Sequence, residues 1–172
     1  MKTEQCYECN APVLPEIRTY ADTPSGVPNL FLQGVEIAEC AKCGNSQVTI
    51  PRLLKVHSAI ALALLNSPRL LTGPQFTFLR KHAEFSRDAF AKYLGVEVDE
   101  LVKWEKQETP IGQAMDRLVR LLVVELALDL KELAPSVVNH LSEISNKPGD
   151  DLELHVDVNT LNHSYTFAKI AA

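Results

Sequence analysis

The chain has 172 residues, of which 46% are hydrophobic and 23% are charged, and these values indicate a folded globular protein with one domain or two small ones. Its net charge of −5 argues against non-specific binding to nucleic acid, because such binding depends on excess cations that neutralise phosphates. We expect a cytoplasmic protein, because the longest apolar run, residues 59–65, is far shorter than the roughly 20 residues that cross a bilayer, and residues 1–8 are too charged for a signal peptide.

All four cysteines lie in two CxxC pairs, Cys6 with Cys9 and Cys40 with Cys43. Two thiolates separated by two residues can bind the same ion only from a tight turn, and the Asn and Gly that follow the pairs tolerate the positive φ of such turns. A redox CxxC would need a βαβ context and disulfides would need an exported protein, and the sequence indicates neither. The pattern predicts one structural Zn²⁺ that is bound by four cysteines and has no open position for catalysis.

Residues 1–50 are therefore a predicted zinc-ribbon domain. Between the cysteine pairs, four prolines and a glycine separate two extended segments, Ile17–Tyr20 and Leu30–Glu39. Such a ribbon has little core of its own, so we expect zinc binding and the folding of residues 1–50 to be one event.

Residues 51–71 are a predicted linker helix. Pro51 suits the first helical position, and Arg52–Leu65 has the spacing of a helix with one apolar stripe before Asn66-Ser67-Pro68 ends it. This segment carries three cations and no acid, which makes it the only net positive stretch in the chain.

Residues 72–134 carry the pattern of a helix-turn-helix domain. A first helix begins at Thr72, a suitable N-cap, and the segment Ser86–Glu105 then meets the spacing of two crossing helices. A small residue is needed where the helices cross, a glycine in the left-handed conformation is needed at the turn, and apolar residues are needed on the inner faces. The residues at these positions are Phe90, Ala91, Leu94, Gly95, Val96, Leu101 and Trp104.

A loop at 108–112 precedes a long predicted helix, Gln113–Leu133, which is apolar over much of its circumference. One face can cover the domain core, and the surplus apolar surface must be covered as well. Two uses remain open, a homodimer interface and packing against residues 135–172.

Residues 135–172 are predicted to form a C-terminal extension. A short helix to about Ile144 is followed by a turn at 146–150 and a strand at 152–158 in which apolar and polar residues alternate. Residues 159–162 can turn the chain into a second strand, His163–Ile170. A lone hairpin is marginally stable in water, so this one must contact a neighbour in the fold or a second chain.

Together these elements resemble the MqsA-type antitoxin family, in which a YgiT-type zinc finger precedes an Xre-type helix-turn-helix. The resemblance covers residues 1 to about 133 and rests on the segments CYEC, CAKCG, LTGPQFTFLRK, AFAKYLGV, KWEKQETPIG and DRLVRLL. The expected fold is mainly α with small β parts: an N-terminal four-cysteine zinc ribbon, a central Xre-like (lambda-repressor-like) helical domain, and a C-terminal helix with a β-hairpin.

The resemblance implies that Cys6, Cys9, Cys40 and Cys43 hold zinc, that the second helix of the motif enters the major groove, and that a homodimer binds a palindromic operator. In the toxin-antitoxin members, the zinc domain also masks a toxin encoded beside it, whereas other members look like stand-alone regulators.

The outward face of the second helix departs from the family pattern. Glu97, Asp99 and Glu100 stand where Ser, Thr, Asn or Gln are more usual, and Arg87 stands where Gln is frequent. Carboxylates can accept a hydrogen bond from cytosine N4 but repel phosphates, so we expect few, selective base contacts. The predicted DNA-binding residues are Arg87, Lys92, Val98, Asp99, Glu100, Val102, Lys103 and Lys106, with Arg80 and Lys81 as further candidates for backbone contacts.

The sequence thus predicts a DNA-binding transcriptional repressor, either the antitoxin of a toxin-antitoxin pair or a stand-alone regulator. The alternative is a zinc-stabilised adaptor that binds proteins and not DNA, since a fold alone does not fix function. We expect no enzymatic activity, because the five histidines lie outside any HExxH or triad-like motif and no Gly-rich phosphate loop is present. These histidines are His57, His82, His140, His155 and His163, and we interpret them as surface or half-buried polar residues.

Overall fold

The computed structural model describes residues 3–132, 137–160 and 164–170, which form nine β-strands and six α-helices. The strands are β1 (Glu4–Gln5), β2 (Pro12–Val13), β3 (Pro15–Ala21), β4 (Leu30–Glu39), β5 (Ser46–Thr49), β6 (Arg69–Leu70), β7 (Ser145–Pro148), β8 (Leu152–Asp157) and β9 (Tyr165–Lys169). The helices are α1 (Leu53–Leu65), α2 (Gly73–His82), α3 (Arg87–Leu94), α4 (Val98–Glu105), α5 (Gln113–Leu126) and α6 (Val137–His140). Across the described ranges, every helix is too short or too polar to span a membrane.

The largest β structure is a five-stranded sheet built around β4. One edge of β4 pairs antiparallel with β3, and the other edge is shared by two strands. Residues Glu36–Glu39 pair antiparallel with β5, whereas Leu30–Gln33 pair parallel with β8, which in turn pairs antiparallel with β9. The C-terminal hairpin therefore extends the N-terminal sheet and does contact a neighbour in the fold, and the β structure is more extensive than the sequence predicted.

Gly34 makes room for this junction in the middle of β4. Its φ is +84°, and a Cβ here would overlap the side chain of Asn159. The Asn159 side-chain amide donates to the Gly34 carbonyl at 3.0 Å, and the Val158 N–H donates to the Gln33 carbonyl at 3.0 Å. Glycine suits this position because the positive φ is unfavourable for other residues, and a Cβ would also displace the Asn159 amide from its hydrogen bond.

The main hydrophobic core surrounds α1, which packs on both the sheet and the helices. Every residue of Ser58–Leu65 is buried, and α1 contacts α2 on one side and β8 and β9 on the other. Leu30 and Leu32 of β4 belong to the same core. A second, much smaller core holds Cys6, Val13, Ala38 and Cys40.

Asp116 and Arg120 of α5, both fully buried, join three parts of the chain. The Arg120 guanidinium donates to Asp116 Oδ1 at 2.8 Å and to the carbonyls of Leu64, Leu65, Ser67 and Arg69 at 2.6–3.1 Å. The Leu71 N–H donates to Asp116 Oδ2 at 2.7 Å. The last carbonyls of a helix lack hydrogen-bond partners within the helix. Arg120 supplies these hydrogen bonds at the C-terminal end of α1 and also fixes the turn that leads to α2.

Two helix boundaries differ from the sequence prediction. Helix α5 ends at Leu126, not at 133, because the chain turns at Ala127 and buries Ala127 and Leu130 against the core. Helix α1 begins at Leu53, because Arg52 has a φ of 52° and separates Pro51 from the helix.

The C-terminal extension also differs from its prediction. The predicted turn at 146–150 contains strand β7, which pairs parallel with β6, and a 3₁₀ turn at Gly149–Asp151. The predicted short helix is α6 followed by a 3₁₀ turn, Leu141–Glu143. The start of the predicted second strand, His163, lies outside the described residues, whereas β9 covers Tyr165–Lys169.

Candidate metal centre and nucleic-acid interface

The two CxxC segments form turns with the same hydrogen bonds. The carbonyl of Cys6 accepts from the N–H of Asn10, and the carbonyl of Cys40 accepts from the N–H of Gly44, at 2.9 and 2.8 Å. The φ of Asn10 is 56° and that of Gly44 is 75°, which confirms the positive φ predicted at both positions. Each turn directs two sulfur atoms to the same side.

The four sulfur atoms come together between the turns. The Sγ atoms of Cys6, Cys9, Cys40 and Cys43 all lie within 4.8 Å of one another, close enough for one metal ion to contact all four. Cys6 Sγ lies 3.6 Å from Cys43 Sγ, and Cys9 Sγ lies 3.5 Å from Cys40 Sγ. These distances are much longer than a disulfide bond of about 2.05 Å, so the structure contains no disulfide among these four cysteines.

The protonation of this cluster favours a bound cation. The backbone at Cys9 donates toward Cys6 and lowers the pKa of Cys6 to about 6, and the backbone at Cys43 likewise lowers the pKa of Cys40. At Cys43, a backbone hydrogen bond from Asn45 is outweighed by the neighbouring sulfur atoms and by burial, which raise its pKa to about 12. The cluster thus readily forms its first thiolates, whereas four thiolates at this separation repel one another unless a cation neutralises them.

Gln47 supports the metal site and was missed by the sequence analysis. It lies on β5, is buried, and its Oε1 accepts from the N–H of Tyr7 at 3.1 Å. This bond ties the second cysteine-bearing segment to the first turn. No local pattern signals it, because the partners are forty residues apart.

Helices α3 and α4 are the two consecutive helices that the sequence predicted, and they contact each other. Ser86 caps α3, since its Oγ accepts from the N–H of Ala89 at 3.2 Å, and Gly95 ends the helix with a φ of 70°. The predicted inner residues Phe90, Ala91, Leu94, Leu101 and Trp104 are all buried. Val96, in the turn, is half-buried and packs against the same core.

A buried carboxylate fixes the end of α4. Glu105 accepts from Arg80 Nε of α2 at 2.7 Å and from Arg87 Nε at the start of α3 at 2.5 Å. Arg80 is buried and paired, so its suggested contact with a DNA backbone is not available to it. Gly73 at the start of α2 lies against the carbonyls of Trp104 and Glu105, leaving no space for a Cβ. The sequence analysis missed Glu105, because an acid at the end of a helix usually faces solvent.

The predicted DNA-binding residues lie on one helical pair, and most of them are accessible. The exposed members are Arg87, Lys92, Asp99, Glu100, Lys103 and Lys106. Val98 and Val102 are half-buried, and Val98 packs against the core. The face combines cations with carboxylates.

Comparison with known proteins gave no relative: no family model, no curated protein and no solved structure matches this chain.

A group of Ser58, His82 and Asp129 has the residue types of a hydrolase triad but not its arrangement. Asp129 Oδ2 accepts from Ser58 Oγ and lies 3.0 Å from His82 Nε2, so the carboxylate stands between the hydroxyl and the imidazole. A nucleophilic serine needs the imidazole next to its hydroxyl. The group instead joins α1, α2 and the segment after α5.

Proposed function

We propose that the chain is a sequence-specific DNA-binding transcriptional regulator in which α4 lies in the major groove. The observation that carries the proposal is the division of α4 into two faces. Leu101 and Trp104 hold it in the core, while Asp99, Glu100 and Lys103 project into solvent. The major groove admits an α-helix, and polar side chains on its outer face can reach the base edges.

The flanking charges support a selective reader of DNA. Lys92, Lys103 and Lys106 are exposed. Arg87 donates to Glu105 through its Nε, and its side chain is 52% exposed. Within the described part of the chain its other guanidinium donors make no hydrogen bond, so they can contact a phosphate. Carboxylates at Asp99 and Glu100 favour cytosine N4 at a base edge and weaken binding to all other sequences.

We infer that the metal is a single structural Zn²⁺ held by the four cysteines. Zinc binds thiolates at about 2.3 Å in a tetrahedron, which places the sulfur atoms about 3.8 Å apart. The pairs at 3.5 and 3.6 Å are close to this spacing. The ion would offset the repulsion between the thiolates and join the two turns, and a site with four thiolate ligands leaves no position for a substrate.

A homodimer on a palindromic operator is part of the same proposal. Leu118 and Leu121 of α5 remain about two-fifths exposed, which leaves apolar surface for a second copy. The gene next to the coding sequence distinguishes a stand-alone repressor from an antitoxin. A small toxin gene beside the coding sequence would favour the antitoxin, and an unrelated operon would favour the stand-alone regulator.

The test is the selection of bound fragments from random duplex DNA by the zinc-loaded full chain. We expect enrichment of one palindromic sequence. A double variant, Asp99→Asn with Glu100→Gln, tests the role of the carboxylates. It should bind more non-selected DNA and discriminate less between the selected sequence and other sequences, because two charges that repel phosphates are gone. A wild-type selection without any enriched sequence would contradict the proposal and favour the adaptor that binds proteins only.

A further inference from the structure

A pocket of about 250 Å³ lies between the start of α2, the end of α4 and the C-terminal extension. Its floor is buried and mainly apolar, and includes Leu71, Phe76, Trp104 and Ile111. Its rim is exposed and mainly polar, and includes Gln107, Thr109, Asn146 and Asp150. Concave sites with an apolar floor and a few polar groups are the usual form of small-molecule sites.

Two polar groups of the pocket can contact a ligand. The Thr72 hydroxyl is buried in the floor, where it faces the Gln75 N–H in the capping box that begins α2, and its own O–H has no acceptor among the described residues. The carboxylate of Asp150 makes no ion pair within the described part of the chain, and Asp150 is the only charged residue that lines the pocket. A carboxylate without an ion pair at the edge of an apolar pocket favours a ligand that carries a cation.

We propose that this pocket binds a small bicyclic aromatic amine. A cavity of about 150 Å³ holds one benzene molecule, so the larger volume here suits two fused rings. The rings would lie on Trp104 and Phe76, and the ammonium group would point to Asp150 at the rim. The negative rim disfavours anionic ligands of the same shape. The inference goes beyond DNA binding and does not depend on it.

The pocket also assigns a role to the C-terminal extension. Residues of β7 and the following 3₁₀ turn form one wall, while the end of α4 and the loop after it form the opposite wall. Gly149 places this wall against α2, since a Cβ there would lie 3.2 Å from Gln75 Oε1 and 3.3 Å from the Leu70 carbonyl. The extension thus completes a site that the helices alone leave open.

The single tryptophan of the chain, Trp104, lines the pocket and reports its occupancy. Emission from Trp104 would be titrated with 2-aminoindane, indan-2-ol and indane-2-carboxylate, with excitation at the red edge of the tryptophan band, where the indanes do not absorb. We expect a saturable change with the amine, and an affinity for the carboxylate that is about tenfold or more lower. The same emission change with all three indanes at equal affinity, or no saturable change with the amine, would overturn the proposal.

Asp150→Asn tests the source of the preference, with Glu143→Gln as a matched control that removes an exposed carboxylate outside the pocket. Because Asp150 is exposed, the fold should survive, and circular dichroism would check this. We expect Asp150→Asn to reduce the affinity for 2-aminoindane about threefold to tenfold and to leave indan-2-ol unchanged. Glu143→Gln should change neither affinity. An Asp150→Asn variant that binds the amine as tightly as the wild type would also overturn the proposal.

Discussion

Arg120 connects several parts of the fold that are far apart in the sequence. Its guanidinium satisfies four carbonyls at the end of α1 and in the following turn, and pairs with Asp116 in a fully buried site. Burial lowers the pKa of Arg120, although Asp116 opposes the shift. From the sequence, an arginine on an apolar helix indicates a solvent-facing position, and only the turn after α1 explains why this one is buried.

Arg120→Met should destabilise the protein by about 3–5 kcal/mol, because it leaves the Asp116 carboxylate buried without its cation and removes the donor from four carbonyls. Urea unfolding followed by circular dichroism would measure the loss. Arg117→Met, one turn earlier on α5, is the matched control, because Arg117 is half-buried and donates through its Nε to the Leu141 carbonyl. It should cost less than about 1.5 kcal/mol. Equal losses in the two variants would show that the buried network does not have this role.

Among the elements, those with a local signal were predicted well. The bounds predicted for β4 are the bounds observed, and Ser86 and Gly95 mark the two ends of α3 as their residue types require. The end of α5 was wrong by seven residues, because no helix-breaking residue occurs before Pro135 and the turn at Ala127 is set by burial in the core.

Strand β4 belongs to two different cores, and this divides the N-terminal unit. Leu30, Leu32 and Val35 lie in the main core, against which Ile37 also packs. Near the end of the strand, Ala38 lies in the small core together with Cys6, Val13 and Cys40. The expectation that residues 1–50 fold as one event with zinc is therefore refined. The metal should be needed for the cysteine turns and β5, and the main core should hold the first half of β4.

Cys40→Ser tests this division. Zinc content, measured colorimetrically, should fall, and hydrogen exchange should accelerate in β5 and in Glu36–Glu39, because the second turn loses its ligand. Exchange in β8, which pairs with Leu30–Gln33, should stay slow. Full retention of zinc would show that the ligand assignment is wrong, and equal acceleration along the whole of β4 would show that the two halves unfold together.

The C-terminal extension connects the N-terminal sheet with the helical part of the molecule. It adds β8 and β9 to the N-terminal sheet, pairs β7 with β6, and completes the pocket beside Trp104. The alternation of Leu152–Val158 predicted a strand, but the parallel partner of that strand lies more than a hundred residues away and leaves no local trace. The ion pairs of Glu105 with Arg80 and Arg87 likewise leave no local pattern in the sequence. In contrast, the cysteine spacing alone was enough to predict the four-sulfur cluster.

Binding of α4 to DNA can be tested by titrating the selected duplex with the wild type, Lys103→Ala and Lys55→Ala at several salt concentrations. Lys55 is an exposed lysine of α1 that belongs to neither α3 nor α4, and it serves as the control. We expect Lys103→Ala to lose about 1–3 kcal/mol of binding free energy if Lys103 contacts a base edge, or to lower the salt slope by about 1 if it contacts a phosphate. Lys55→Ala should bind like the wild type. Identical affinities and salt slopes for all three proteins would show that the outer face of α4 does not bind DNA.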